Sequence, residues 1–353
     1  LVERSHVLRN PKHPRRLVEC DEGTLSGVSV VEDLKSGTRA LYLDSFRAAE
    51  TGPSYGYMRM LAHLPLLLHP GPERVLVIAF GTGTTAGAVS THPGVTDLVC
   101  VEIEEAVYGV ADLFAEQNRG VLGLQRTRKV VADGREFVAR AGSDHFDVIT
   151  LEPLMPYTPG AVHLYTKEFY DAARERLSRG GFLCQWIPIH AVGEEDFRRL
   201  IASVAASFRH VSLWYFNPSA VVVAGEAAPR VRVEDIALRG SQKAVGEDLR
   251  TALVGDAAHL LGAHVASDDG LRLALGNVPP MTDDRTVLEF RPLPNLFGRR
   301  SARYRAQNLE FLARAHAERI PWLEAEDALP AVTTALESGG ALLAALAAEA
   351  RSA

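Results

Sequence analysis

The chain has 353 residues, enough for one large α/β domain with attachments or for two domains, and 47% hydrophobic with 23% charged residues permits a sizeable core. A net charge of −6 and a pI near 6.1 exclude a strongly basic partner surface for nucleic acid, and the basic clusters "HPRR" (13–16) and "FGRRSARYR" (297–305) are short enough to read as solvated surface. Cys20, Cys100 and Cys184 are an odd set without metal-ligand spacing, and the last two sit in apolar runs, which predicts core thiols, a reducing cytoplasmic compartment and no metal site.

Residues 1–22 are rich in Pro and Arg with little periodicity and predict an extended arm. From Gly27 the alternation in "GVSVVEDLKSGTRALYLD" predicts two strands joined by a turn at Lys35-Ser36-Gly37, within a small N-terminal β-hairpin domain over 23–62. "YGYMRMLAHLPLLLHPGP" then predicts a helix stopped by its prolines. Strand and helix patterns alternate from there to about residue 210. They run VLVIAF with a helix from Thr84, LVCVEIE with a helix to Asn118, RKVVAD with a short helix, FDVITLEP with a loop and a helix from Lys167, and GFLCQWIPI with a helix from Glu194.

Repeated βα units predict a parallel sheet with helices on both faces, a Rossmann-like domain over 63–228. Its ending is informative. "HVSLWYF" and "AVVVAGE" are separated only by Asn-Pro-Ser, too short a link for a helical crossover, so the last strand runs antiparallel as a hairpin. That layout is the one of S-adenosylmethionine-binding transferases, whereas dinucleotide dehydrogenases continue with parallel strands. Residues 229–295 read as a loop-rich, cleft-side segment with short helical patches. Residues 296–353, rich in Ala, Glu and Leu at helical spacing, read as a helical extension broken at Pro321 and Pro330. No stretch approaches ~18 uninterrupted apolar residues, so no membrane span is expected within the chain. The opening on Leu1 rather than Met is expected of a trimmed chain or a piece of something longer.

In an open α/β sheet, ligands bind outside the carboxyl ends of the strands, so the polar residues at each strand end carry the functional reading. The first strand ends in Gly81-Thr82-Gly83, where missing side chains let backbone N–H groups approach a ligand. Spacing alone, Gly81-x-Gly83-x-x-Ala86 with Glu102 about 20 residues on, fits a dinucleotide fingerprint. The second strand ends in Glu102-Ile103, an acid suited to both ribose hydroxyls. The third ends in Asp133-Gly134, where a carboxylate can accept from an exocyclic amine, and the fourth in Glu152-Pro153, where chemistry would occur. Acid at the second tip with Asp-Gly at the third suits an adenosine moiety; an NAD reading leaves Asp133 and Glu152 without a task. His190 and His210 have no partners at metal-ligand spacing and read as structural, and Trp186 and Trp214 read as core or cleft wall.

The elements HPGPERVLVI, VEIE, DGREF, FDVI and LYTKEFY…GG…CQW, in that order over about residues 25–225, with a short later match at "MTDDRTVLEF", resemble the polyamine aminopropyltransferases, the spermidine synthase family. The similarity is greatest to the bacterial branch in which such a domain follows a transporter-like membrane segment. The resemblance implies a Rossmann-like S-adenosylmethionine-dependent transferase fold with a small N-terminal β domain, here followed by a C-terminal helical extension. It implies a donor that is S-adenosylmethionine or its decarboxylated form, a product that is methylthioadenosine or S-adenosylhomocysteine, a small-molecule acceptor, and a homodimer. By resemblance, Gly81, Thr82, Gly83, Glu102, Ile103, Asp133 and Gly134 line the nucleoside. Tyr57 stands over the acceptor amine, Gln185 supports the cleft floor, and His163 and Asp283 lie on the loop and segment bordering the cleft.

Three departures from the family pattern bear on the acceptor. Thr82 stands where an Asp grips the donor's amino group. The fourth-strand motif Asp-Ser-x-Asp-Pro is here Glu152-Pro153-Leu154-Met155-Pro156, with Met155 for the second acid, and Ala48 stands where a glutamine follows the N-terminal hairpin. A diamine is a dication at neutral pH and its burial needs nearby carboxylates, so these changes argue against putrescine. The expected activity is alkyl transfer (aminopropyl, aminocarboxypropyl or methyl) or cyclisation, with Glu152 as the catalytic base. A reading from another class is a non-catalytic nucleotide-sensing or interaction module.

Overall fold

Alternating apolar residues build the first sheet of the computed structural model, which describes residues 14–44, 46–52, 55–140, 142, 145–289, 299–323 and 329–352. In β2 (Gly27–Asp33) and β3 (Arg39–Leu43), Val28, Val30 and Leu41 pack with Val75, Val77 and Phe80, while Val31, Ala40 and Tyr42 form a small cluster of their own with Leu17. β1 (Arg15–Glu22) and β4 (Phe46–Glu50) complete a four-stranded antiparallel sheet in the order β1-β2-β3-β4. The expected arm is thereby corrected in its described part: Arg15–Glu22 is an edge strand paired with β2. A register shift between Leu17 and Glu19 and a run of charged side chains, both suited to an exposed edge, hide its periodicity. Residues 1–13 of that arm and 296–298 of the helical extension lie outside the described residues.

The next element, α1 (Tyr57–Leu68), is buried along its whole length and runs through Pro65 instead of stopping there. The ring removes the N–H that would reach the Leu61 carbonyl, and the Thr150 hydroxyl takes that carbonyl at 2.8 Å instead. The helix ends at His69, ahead of Pro70.

The main sheet comprises β5 (Arg74–Ile78), β6 (Asp97–Glu102), β7 (Thr127–Val131), β8 (Phe146–Leu151), β9 (Leu177–Ile187), β10 (His210–Phe216), β11 (Ser219–Gly225) and β12 (His264–Ser267). Its order is β12-β10-β11-β9-β8-β5-β6-β7, parallel from β7 to β9, with β11 antiparallel to both β9 and β10 as the short hairpin link requires. The four-residue β12, antiparallel to β10, lies in the segment read as loop and helix. The crossovers carry α2 (Thr84–Val89), α3 (Glu105–Gly109), α4 (Ala115–Asn118), α5 (Gly134–Ala139), α6 (Lys167–Glu175) and α7 (Glu194–Ser207). The expected single helix to Asn118 is broken by a 3₁₀ turn at Ala111–Phe114. After the sheet come α8 (Val233–Gly240), α9 (Lys243–Thr251), α10 (Ala257–Gly262), α11 (Asp268–Leu275), α12 (Arg299–Ala315) and α13 (Leu329–Ser352). One core lies between the sheet and α6, α7 and α12; the other lies under α1, α8, α9 and α10 with Val332 and Leu336 of α13.

The expectation of no membrane span is corrected at α13. Pro330–Arg351, 22 residues, is long and apolar enough by length and composition to cross a membrane, and 22% of its most apolar window is buried. Ala, Leu and Gly keep the average apolar around Glu337 and Glu349, which a search for an unbroken run overlooks. The same helix packs on α10 and α12; a Cβ at Gly339 would overlap the Gly262 carbonyl, so the two backbones meet directly.

A polar cluster around the buried Asp248 joins α9 to α1. Asp248 Oδ1 accepts from Arg59 at 2.6 Å and Arg119 at 2.7 Å, its Oδ2 meets His63 Nε2 at 2.9 Å, and His63 Nδ1 lies 2.9 Å from His92 Nε2. Burial alone would push the Asp248 carboxyl up, but His63, Arg59 and Arg119 hold it well below the usual carboxylate range. Asp248→Ala leaves Arg59 and His63 buried without their anion and is expected to cost about 3–5 kcal/mol in urea unfolding; a loss below about 1 kcal/mol would contradict the cluster's role.

Candidate active site

β5 leaves the sheet through a tight turn in which Ala79, Gly81 and Gly83 all have positive φ, at 65°, 55° and 76°. The two glycines answer different needs. A Cβ at Gly83 would overlap the Phe80 ring, a packing constraint, whereas one at Gly81 would meet nothing within 4 Å. Gly81 faces a cavity of about 580 Å³ at the carboxyl ends of β5, β6, β7 and β8. Thr82 is buried, its hydroxyl 2.9 Å from that of Thr84.

The strand-end acids converge on this cavity. Glu102 Oε1 accepts from the N–H groups of Ile103 at 2.8 Å and Glu104 at 3.3 Å, and Oε2 from Gly81 at 3.3 Å. Burial raises its pKa, opposed by those same N–H groups. Ile103 lines the cavity beside it with an exposed side chain. Asp133 also lines it and caps α5, Oδ1 accepting from the N–H groups of Arg135 at 2.7 Å and Glu136 at 3.1 Å. Gly134 is glycine because a Cβ there would overlap Ile78.

Glu152, just past β8, is half-buried and lines the cavity, and its Oε1 accepts from the Tyr57 hydroxyl at 2.6 Å. Burial pushes its pKa up to about 8, against the lowering effect of that hydrogen bond. The carboxylate is thus held from α1, not by the backbone of the loop that follows it. Tyr57 in turn stacks on Trp186, centroids 6.3 Å apart and planes 18° apart. Its own pKa is raised, by burial first and then by the Glu152 charge.

At the rim, His163 and Asp283 both line the cavity, His163 Nδ1 3.6 Å from Asp283 Oδ1. Asp283 is gripped by both guanidinium nitrogens of Arg135 and by the Thr166 hydroxyl at 2.8 Å. Burial would raise its pKa, but Arg135 and Thr166 hold it below the ordinary value. Four expected residues stay out of the cavity lining: Gly83, Tyr57, Met155 and Gln185. Met155 packs between the two main hydrophobic clusters. Gln185 is buried in β9, donating from Nε2 to the carbonyl of Leu164 at 3.2 Å, and so steadies a loop residue that lines the cavity.

Arg135 and Glu104 are contributors that sequence reasoning passed over. Arg135 also donates to the His163 carbonyl at 2.9 Å, tying the loop to α5; its place two residues after Asp133 was the available signal. Glu104 accepts from the N–H groups of Thr24 at 3.1 Å, Leu25 at 2.7 Å and Ser26 at 3.1 Å, pinning the N-terminal sheet so that Leu41, Leu43 and Ala48 roof the cavity.

Residues 54–223, from just before α1 into β11, match the spermine/spermidine synthase domain. Over that segment, just under half of the chain, the protein is similar to the spermine/spermidine synthase family. A polyamine aminopropyltransferase of Thermotoga petrophila is 31% identical over 166 residues, 47% of this chain and 55% of the relative. Polyamine aminopropyltransferase 1 of Hyperthermus butylicus is 32% identical over 182 residues, 50% of this chain and 62% of the relative. The chain spans about half the length of the first of these curated relatives, 50% to 55% in several cases. Among solved structures, the spermidine synthase of Thermotoga maritima aligns with a TM-score of 0.55 at 20% identity, covering 81% of this chain and 87% of that one. A probable spermidine synthase of Corynebacterium glutamicum aligns at 0.54 and 15% identity, covering 76% and 97%. At these identities the likeness is one of fold, a Rossmann-like transferase fold with an N-terminal β sheet and a C-terminal helical extension.

The Glu152 environment makes stability depend on pH. An unfolded glutamate titrates near ~4.3, so the neutral carboxyl's contribution is complete below that pH and is lost progressively as pH rises to about 8. Glu152→Gln is therefore expected to gain several degrees of Tm on the wild type between pH 5 and pH 9, read by thermal melts. An offset that does not change with pH would contradict the half-buried, neutral carboxyl.

Proposed function

We propose that the cavity binds an adenosyl-sulfur ligand, S-adenosylmethionine or its decarboxylated form, and that the protein alkylates a small-molecule acceptor other than putrescine. The observation that carries this is the convergence of Glu102, Asp133 and Glu152 from three successive strand ends on one cavity of about 580 Å³. The residues fit such a ligand: the space over Gly81 admits a nucleoside, and the Glu102 carboxylate sits beside it, its oxygens already oriented by backbone N–H groups. When bound, the sulfonium supplies an activated carbon and leaves as a neutral thioether.

The chain's own groups have separable tasks in this reading. Glu102 accepts from both ribose hydroxyls, and Asp133 accepts from the adenine amine. Thr82 replaces an acid with a hydroxyl, so a donor that keeps its carboxylate meets no like charge there; methyl or aminocarboxypropyl transfer and cyclisation thus stand beside aminopropyl transfer. The acceptor amine gives its proton to Glu152, whose raised pKa makes it a stronger base than an ordinary carboxylate. Tyr57 fixes the carboxylate's position through its 2.6 Å hydrogen bond. Much of the rate enhancement comes from holding acceptor and carbon in line with water excluded. The loop from Pro159 to Leu164, latched by Arg135, forms the wall that excludes it. The buried free thiols of Cys100 and Cys184 support a cytoplasmic setting for the domain.

Calorimetric titration with S-adenosylmethionine, its decarboxylated form, methylthioadenosine and NAD tests the ligand class. The expected result is binding of adenosyl-sulfur compounds, weakened by Glu102→Ala; tight NAD binding without them would overturn the reading. In a turnover assay, kcat should rise with pH to a plateau above about 8 as Glu152 loses its proton. Glu152→Gln should lower kcat roughly 10²–10⁴-fold with methylthioadenosine affinity retained. Binding without turnover against a panel of amines would instead favour a nucleotide sensor, a reading motivated by the loss of acids at Thr82 and Met155.

A further inference from the structure

A second cavity of about 800 Å³, larger than the nucleoside cavity, opens beside Tyr57. Tyr57 and Met60 of α1, Phe216 of β10, and Ala335 and Gly339 of α13 line it, together with α10 and the turn before it. Its α10 and α13 walls lie outside the segment shared with the synthase family, which ends at residue 223. The direct backbone contact between Gly339 and Gly262 makes α13 a fixed part of this wall.

The cavity is poor in charge. Among the described residues no Lys, Arg or Glu lines it, and the one carboxylate there, Asp256, caps α10 by accepting from the His259 N–H at 2.8 Å. His264, also in the lining, is fully buried, its ring pKa pushed down to about 3 by burial, and neither ring nitrogen has a hydrogen-bond partner among the described residues. A mostly apolar chamber with no cationic side chain among its described lining suits a hydrocarbon chain. It does not suit a second ammonium, which would be buried without a free counter-charge.

Tyr57 lines this chamber, Glu152 lines the nucleoside cavity, and their side chains meet at 2.6 Å. We propose that the acceptor is a monoamine with an apolar tail, the amine at Glu152 and the tail in this second chamber. The proposal rests on the alkyl-transfer reading above and names its substrate class. It also accounts for the missing acids, since one cationic head needs one carboxylate.

The test is calorimetric titration of the full chain with butylamine, heptylamine, decylamine and putrescine, with methylthioadenosine present at saturation. Affinity is expected to rise roughly fourfold per methylene along the series, with putrescine binding more weakly than decylamine. Thr334→Trp and Ser338→Trp, at exposed α13 positions lining the chamber, should each weaken decylamine at least tenfold while methylthioadenosine affinity stays unchanged. Affinity independent of chain length, decylamine binding indifferent to both tryptophans, or tighter putrescine binding would overturn the proposal. If methylthioadenosine itself fails to bind, the alkyl-transfer reading falls separately, and the chain-length series run without it still decides whether the chamber takes an apolar tail.

Discussion

The arrangement turns on a half-buried carboxylate that has to be held. Glu152 stands at the end of β8 with no cation beside it among the described residues, and its recorded partner is the Tyr57 hydroxyl on α1. Removing a carboxylate from water penalises its charged form, and one neutral hydrogen bond offsets only part of that penalty. The fold tolerates the cost because α1 is fixed independently: it is buried along its length, hydrogen-bonded to β8 through Thr150, and anchored to α9 through Arg59, His63 and Asp248. A carboxyl whose pKa is raised to about 8 is therefore a property of how a helix is packed, more than of the glutamate alone.

The same division of labour recurs around the cavity. Backbone N–H groups at the ends of β5 and β6 orient Glu102, while Glu104 uses its carboxylate on the turn of the N-terminal sheet. Neighbouring acids two positions apart thus face opposite tasks, one toward the cavity and one toward the roof over it. Arg135 does the equivalent at the opposite rim by joining α5, the covering loop and Asp283. The charge of Asp283 is consequently committed to Arg135.

Much of this was legible in the residues. The alternating βα pattern and the Asn-Pro-Ser link define the strand order near β11, because loop length alone forbids a parallel crossover. Strand-end acids at 102, 133 and 152 were recoverable because the sheet brings its carboxyl ends to one edge whatever the loops do. What escaped depended on contacts distant in sequence. Pro65 reads as a helix stop unless Thr150 is known to satisfy the freed carbonyl. Met155 sits one turn from Glu152 in the chain yet points into the core, and Gln185 acts through a loop. The apolar character of α13 was concealed by single charges within a run of small residues.

The central claim is that Glu102 and Glu152 define the two ends of one adenosyl-sulfur site. A crystal structure with methylthioadenosine tests it most directly. The account predicts both ribose hydroxyls on the Glu102 carboxylate, the adenine amine at Asp133, and the thioether sulfur directed toward Glu152 and Tyr57. A nucleoside bound outside this cavity, or one whose sulfur is turned away from Glu152, would contradict it.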